Sequence, residues 1–267
     1  MSASADRPSR PRPSAARCAR VAHSFVQAGV DLAELADRAR DAGWDMVELD
    51  VLSDGGELVV AHDSGDLSRP GQIRFADALA VLRAGLPRAT AIDVDIKTVG
   101  YEHRVLDAIR QAELLPRTLV STMERSSLEL LRAAEPALAL GLSVPRARRN
   151  YLAHPLTRPA AYAMLAYMRR TLPARAARWL REGIADAIMA HWRVVTPRLV
   201  DAVADADGEL YAWTVDDPSR LEALERLGVN GVITNHLARA ATSVASASRA
   251  AGAASGASAS RAAPGGA

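Results

Sequence analysis

A single (β/α)8 barrel is the fold this sequence predicts, and three observations predict it. Short apolar runs alternate with amphipathic segments, the pattern of a parallel sheet with its crossover helices. Eight such runs can be counted, the number that closes this sheet into a TIM barrel. The chain has 267 residues and is 49% hydrophobic, ample for one large core, and barrels of about 250 residues normally form one domain.

The first strand is expected at 19–23, ending at His23, and the first helix at 32–42. The second strand, 46–52, runs into Asp54-Gly55-Gly56 and then a second apolar arm, Leu58-Val59-Val60-Ala61, before His62. That turn chemistry between apolar runs signals a β-hairpin, so this strand is expected to carry a hairpin extension folded back over one barrel mouth. The third strand, 91–97, precedes a helix at 101–113, and the fourth, 118–122, a helix at 126–134. The fifth, 139–144, precedes a long helix at 159–181, and the sixth, 185–190, a helix at 197–204. The seventh, 210–215, is followed by a helix at 218–227, and the eighth is 231–234. No helix is assigned between His62 and the third strand.

Residues 1–17 read as a disordered leader rich in Arg, Pro and Ser, and 240–267 as an Ala/Ser/Gly tail, leaving 18–239 for the barrel. Charge follows the same division. Residues 1–20 carry five Arg and one Asp (+4) and 240–267 two Arg (+2), so a total of +2 leaves −4 on the body. A mildly acidic body argues against a nucleic-acid surface, although the tails could touch anionic surfaces weakly. Cys18 is the one cysteine, which excludes an intrachain disulfide. No apolar run reaches membrane-span length and nothing resembles a signal peptide. The expectation is a soluble, cytoplasmic protein with no obligate protein partner.

Strand alternation points to the chemistry. In Val47-Glu48-Leu49-Asp50-Val51 the aliphatics share one face and the carboxylates the other, and Ile92-Asp93-Val94-Asp95-Ile96-Lys97 repeats the arrangement. A barrel strand turns its aliphatic face to the helices, so these acids are aimed into the lumen near the C-terminal strand ends, where such barrels hold their active sites. Lumenal charge is costly unless paired or metal-bound, and an oxygen-rich cluster suits Mg2+ or Ca2+ rather than zinc. Lys97 is the single Lys beside 32 Arg, which hints that position 97 needs an amine. His23 and His62, each closing an apolar arm, are expected at the same mouth, where imidazoles suit acid–base work. His103, His154 and His236 lack comparable context, whereas His191 follows the sixth strand and could line the mouth. Trp213, on the seventh strand, suits either the core or an apolar substrate wall. The stripe Tyr162-Ala163-Met164-Leu165-Ala166-Tyr167-Met168-Arg169-Arg170 is read as an ordinary buried helix face, with a lipid-contacting helix as the alternative.

Taken in order, Val21-Ala22-His23, Val47-Glu48-Leu49-Asp50-Val51, Val59-Val60-Ala61-His62-Asp63, Ile96-Lys97, Val120-Ser121-Thr122, Trp213-Thr214-Val215-Asp216 and 228–234 resemble the glycerophosphodiester phosphodiesterase family over about residues 20–240. The resemblance implies a barrel of the phospholipase-C-like phosphodiesterase type. It implies metal-dependent hydrolysis of glycerophosphodiesters, or related lysophospholipids, to an alcohol and glycerol phosphate. Residue by residue, it makes His23 and His62 the catalytic pair, Glu48 and Asp50 metal ligands, and Asp95 a ligand where the family usually has Glu. It makes Lys97 a phosphate contact, and Trp213, from its place on the seventh strand, is taken as the other candidate substrate-binding residue. One His would serve as base and the other as acid, in an order left open, and by the family's example a substrate hydroxyl attacks first to give a cyclic phosphate.

The sequence also departs from that pattern. The Arg-Gly that normally follows the first His, whose Arg holds phosphate, is Ser24-Phe25 here. The Glu-Asn-Thr segment at the first helix is missing, the insertion after His62 is nearly absent, and Asn235 replaces a usual Asp. The sphingomyelinase D and phospholipase D toxins, a branch of the same superfamily, share the two His, the Glu-x-Asp pair and an Asp-x-Lys strand, and also lack that Arg and the long insertion. They are secreted and disulfide-bonded, unlike a chain with one Cys. A barrel that binds a phosphorylated ligand without turnover is the rival class; the presence of both His and all three acids favours an enzyme.

Overall fold

The structure, a computed structural model, describes residues 18–27, 30–145 and 157–236; the leader and tail read from the sequence lie outside these. Among the described residues the strands are β1 (Ala19–Ala22), β2 (Met46–Asp54), β3 (Glu57–Val60), β4 (Ala91–Ile96), β5 (Thr118–Thr122), β6 (Ala139–Val144), β7 (Ala187–His191), β8 (Glu209–Trp213) and β9 (Gly231–Thr234). All but β3 pair in parallel, in the order β1-β9-β8-β7-β6-β5-β4-β2, and a β1–β2 pairing closes the ring. The helices are α1 (Leu32–Arg40), α2 (Phe75–Gly85), α3 (Glu102–Gln111), α4 (Arg125–Ala134), α5 (Arg158–Arg181), α6 (Pro197–Ala204) and α7 (Pro218–Leu227). The predicted (β/α)8 barrel is the fold found. No helix among the described residues is long and apolar enough to cross a membrane.

Alternation sorts the side chains into two cores. Val47, Leu49, Val51, Ile92, Val94, Ile96, Leu140, Ile188 and Leu210 pack with the helices. Ala19, Val21, Met46, Leu119, Met189, Tyr211 and Ile233, on the opposite strand faces, form a separate cluster inside the ring. The lumen is tight: a Cβ at Gly231 would stand 2.6 Å from the Tyr211 ring, so only glycine lets that ring lie there.

The hairpin forms as its turn chemistry requires. Gly55 and Gly56 both have positive φ (51° and 97°), the geometry of a two-residue turn that matches strand twist. β3 pairs antiparallel with the last residues of β2, from Val51↔Val60 to Asp54↔Glu57. It takes the β2 edge just beyond the short pairing with β1, Val21↔Met46 and Ala22↔Val47. Between the two, Phe25 N–H donates to the Glu48 carbonyl and Ala61 N–H to the Asp50 carbonyl. The exits of β1 and β3 therefore meet on one strand edge, which brings His23 next to His62.

Three expectations are corrected. β1 ends at Ala22, and His23 opens the turn that follows it. α2 occupies the stretch to which no helix was assigned; its run Phe75-Ala76-Asp77-Ala78-Leu79-Ala80-Val81-Leu82 is so evenly apolar that the 3.6-residue period is faint, and Arg74 supplies no side-chain cap. The Tyr162–Arg170 stripe is no buried face: Tyr162, Met164 and Tyr167 are exposed, and only Leu165 and Met168 turn toward the core.

Candidate active site

The lumenal acids gather as their strand register dictates. Glu48 and Asp50 lie two apart on β2, and the parallel pairing sets Asp95 of β4 beside Asp50 and Asp93 beside Glu48. Glu48 and Asp50 are buried, and oxygens of Glu48, Asp50 and Asp95 all lie within 4.8 Å of one another. Lys97 reaches back over this cluster, its Nζ 2.5 Å from Asp50 Oδ1 and 2.6 Å from Asp95 Oδ2. Asp93 sits one layer deeper, buried, with its Oδ1 lacking any hydrogen-bond partner in the structure.

Electrostatics separates these groups. Burial pushes the Glu48 carboxyl well above the usual range, and the neighbouring Asp50 charge pushes it further. Burial and Asp95 do the same to Asp93. Asp50 suffers the same desolvation, but contact with Lys97 outweighs it and lowers its pKa. For Asp95 burial wins over Lys97 and the pKa rises. Burial alone would lower the Lys97 pKa, yet Asp95, Asp50 and Glu48 around the ammonium more than reverse this. One ammonium thus faces four inward carboxylates. A second cation would relieve that surplus, and an all-oxygen donor set of this kind matches Mg2+ or Ca2+.

Ser24 ties the two β2 acids in place. Its backbone sits at φ 45°, a left-handed conformation, and from there its N–H donates to Glu48 Oε2 at 2.6 Å. Its hydroxyl donates to Asp50 Oδ2 at 2.9 Å. Where the resemblance implied loss of a phosphate-binding Arg, the replacement holds the carboxylate pair instead.

The two imidazoles stand edge to face, ring centroids 6.2 Å apart. His23 Nδ1 lies 2.6 Å from Asn235 Oδ1. The Asn235 amide is itself oriented by Asp216, to which Nδ2 donates at 3.0 Å and the backbone N–H at 2.9 Å. With Asn235 offering its oxygen, Nδ1 carries the proton of neutral His23 and Nε2 keeps a basic lone pair. The His62 side chain is 54% exposed, with Nδ1 3.9 Å from Asp63 Oδ2. Backbone N–H groups of Asp66 and Gly65 hold the Asp63 carboxyl below its ordinary pKa, so it stays anionic beside His62.

Trp213, at the end of β8, is half-buried and packs on the lumenal core while its Nε1 donates to the Met189 carbonyl at 2.8 Å. Its ring meets His191 edge to face at 5.0 Å. His191 closes β7, so it lines the same mouth. Burial, then Arg193 and Arg220, push its pKa down to about 4, and its Nδ1 accepts from the Arg193 N–H. At neutral pH His191 is therefore uncharged and half-buried at the mouth. Of the residues singled out from sequence, Glu48, Asp50, Asp95 and Lys97 come together directly and His23 and His62 pair, while Trp213 stands with His191. The sequence reading missed the parts played by Ser24 and by the Asp216–Asn235 relay.

The profile of the glycerophosphoryl diester phosphodiesterase family matches residues 88–239. Glycerophosphodiester phosphodiesterase GDPD4 of Arabidopsis thaliana is 25% identical over 207 residues, covering 72% of this chain; the chain spans only 62% of that relative's length. A glycerophosphodiester phosphodiesterase from Parabacteroides distasonis superposes with TM-score 0.63 at 15% identity, over 87% of this chain and 99% of that one. A phosphodiesterase from Oleispira antarctica, solved with its product sn-glycerol-3-phosphate, gives TM-score 0.59 at 18% identity, over 85% and 97% of the two chains.

Proposed function

The chain belongs to the glycerophosphoryl diester phosphodiesterase family, and from that membership we propose that it hydrolyses a glycerophosphodiester, or a related lysophospholipid, to an alcohol and glycerol phosphate. The observation that carries this reading is the clustering of the Glu48, Asp50 and Asp95 oxygens within 4.8 Å under Lys97, beside two imidazoles 6.2 Å apart. The family profile begins at residue 88, so it includes Asp95, Lys97 and Trp213 but not His23, Glu48, Asp50 or His62; the roles of those four rest on their geometry.

Glu48, Asp50 and Asp95 would hold a divalent cation, Mg2+ or Ca2+, which when bound supplies Lewis-acid polarisation of a phosphoryl oxygen. Lys97 donates to Asp95 Oδ2 and pairs with the Asp50 carboxylate; its remaining N–H groups would serve a nonbridging phosphate oxygen, whose growing negative charge they stabilise. His23 Nε2 accepts the proton of the attacking hydroxyl, while Asn235 keeps the ring oriented through Nδ1. His62, solvent-facing and beside the Asp63 carboxylate, returns a proton to the departing alkoxide. With the neighbouring substrate hydroxyl as nucleophile, its O–P bond forms as the P–O bond to the alcohol breaks, one proton being taken and one given; water then opens the cyclic phosphate by the same exchange to leave glycerol phosphate. Trp213 and His191 would form the wall against which the leaving group rests.

Following glycerophosphocholine, lysophosphatidylcholine and sphingomyelin by phosphorus NMR tests the proposal. Cleavage of the glycerol-containing diesters is expected, reduced at least about a hundredfold in His23→Ala and in His62→Ala, as for loss of acid–base catalysis. A milder loss removes that His from the chemistry. Cleavage of sphingomyelin but not glycerophosphocholine would move the chain toward the toxin-like branch.

A further inference from the structure

α5 is too long for its barrel position. Its 24 residues span about 36 Å, whereas the six residues of β6 cover about 20 Å. Its buried residues, Leu172, Ala176, Ala177, Trp179 and Leu180, all lie in the C-terminal part. Near its middle, Arg169 Nε donates at 2.8 Å to the Arg193 carbonyl, in the 3-10 turn that follows the C-terminal end of β7. The helix is therefore level with the barrel mouth at Arg169, and its N-terminal turns stand beyond the rim on the side of Glu48, Asp50 and Asp95.

Those turns are apolar nearly all round. Residues 159–168 contain no polar side chain except the Tyr hydroxyls. At about 100° per residue, Tyr162, Ala166, Ala163, Tyr167, Ala160 and Met164 sweep about 200° of the helix surface. Tyr162, Met164 and Tyr167 are each 58% exposed along that arc. Leu165 and Met168, on the opposite side, pack toward the core. A helix apolar all round needs an apolar environment, and a stretch of about ten such residues is the length of an interfacial segment, not a span.

Charge selects the occupant. From Arg158 to Arg181 the helix carries six Arg and no acid, with Arg158 before the apolar turns and Arg169 and Arg170 after them. A second copy meeting this face by two-fold symmetry would set these arginines against their own counterparts. An anionic bilayer accepts both features: the Tyr and Met side chains enter the headgroup–acyl boundary while arginines reach phosphates. We propose that the N-terminal half of α5 docks the barrel mouth onto an anionic lipid surface. Each basic residue near such a surface strengthens attachment roughly fivefold, so the mouth is held where lipid-borne phosphodiesters are presented.

Vesicle flotation of the full chain tests this, with phosphatidylcholine alone and with added phosphatidylglycerol, comparing wild type with the triple variant Tyr162→Ser, Met164→Ser, Tyr167→Ser and with Met164→Glu. Wild type is expected to float with the anionic vesicles and far less with phosphatidylcholine, and both variants to bind at least about tenfold more weakly with unchanged circular dichroism. The Arg-rich leader is present in every variant, so its contribution cancels. Equal flotation of wild type and variants, or no flotation of wild type, overturns the proposal. So does a wild-type dimer that the triple variant abolishes in light scattering without any vesicle binding, since a second copy would then own the face. The readout is binding, so failure here is separable from failure to cleave a phosphodiester.

Discussion

Ser24 stands in a conformation that costs a non-glycine residue about 1–2 kcal/mol. Two hydrogen bonds to carboxylates, at about 1.5–3 kcal/mol each, outweigh that cost. Groups that orient metal ligands typically matter ten- to hundredfold to metal affinity. Ser24→Ala, which keeps the N–H on Glu48 but frees Asp50 Oδ2, is expected to need about ten- to hundredfold more divalent ion for half-maximal turnover. An unchanged requirement would show that Asp50 needs no such tether. His191 makes a pH prediction. Its folded pKa is depressed to about 4 from the ordinary 6.5. Below pH 6.5 the unfolded chain binds a proton that the folded chain refuses, so stability falls as pH drops from 6.5 to about 4 and then levels. The Tm advantage of wild type over His191→Phe should therefore shrink across that window; a gap independent of pH would mean that His191 protonates freely in the fold. At this scale the acids and Lys97 were legible, because strand period two sends alternate residues to one face. The parts of Ser24 and Asn235 were not: residue type marks both only as departures from the family pattern, while one acts through a backbone angle and the other through a three-residue relay.

Among elements, the eight barrel strands and six helices were legible because apolar runs and Pro or Asp starts punctuate them, as at Thr196-Pro197 and Asp217-Pro218, where the preceding side chain caps the helix. α2 escaped because an evenly apolar helix carries no period. The exposed α5 turns were misjudged for a related reason: sequence reveals that a stripe is apolar, while the relative lengths of helix and strand decide whether anything covers it. The β2–β3 hairpin was read from two glycines, and its consequence, the meeting of His23 and His62 on the β2 edge, required the register. Gly56, at φ 97°, is where that turn is most demanding. Gly56→Val should cost about 1–3 kcal/mol of backbone strain, lowering Tm by roughly 3–10 °C, and should reduce turnover as His62 loses its support. An unaltered Tm would mean that the turn adapts freely.

For the molecule as a whole, the barrel brings segments far apart in sequence to one mouth: the exits of β1 and β3 supply the imidazoles, β2 two acids, β4 and its exit the third acid and Lys97, and β7 and β8 His191 and Trp213. The family profile covers only the part from residue 88 onward, and ring closure through β1–β2 joins the earlier residues to it. The fold class and the family were both readable before the structure. The substrate was not, since the acid cluster that strand alternation reveals carries no information about the head group. The proposed chemistry requires a divalent cation on Glu48, Asp50 and Asp95. Its most direct test is glycerophosphocholine turnover against free Mg2+ or Ca2+, for wild type and Asp50→Asn, from an EDTA-treated start. Saturable activation of wild type, from a floor at least about a thousandfold lower for loss of several kcal/mol of charge stabilisation, with little activation of Asp50→Asn, is the predicted result. Turnover indifferent to EDTA, or an Asp50→Asn variant activated as readily as wild type, would contradict it.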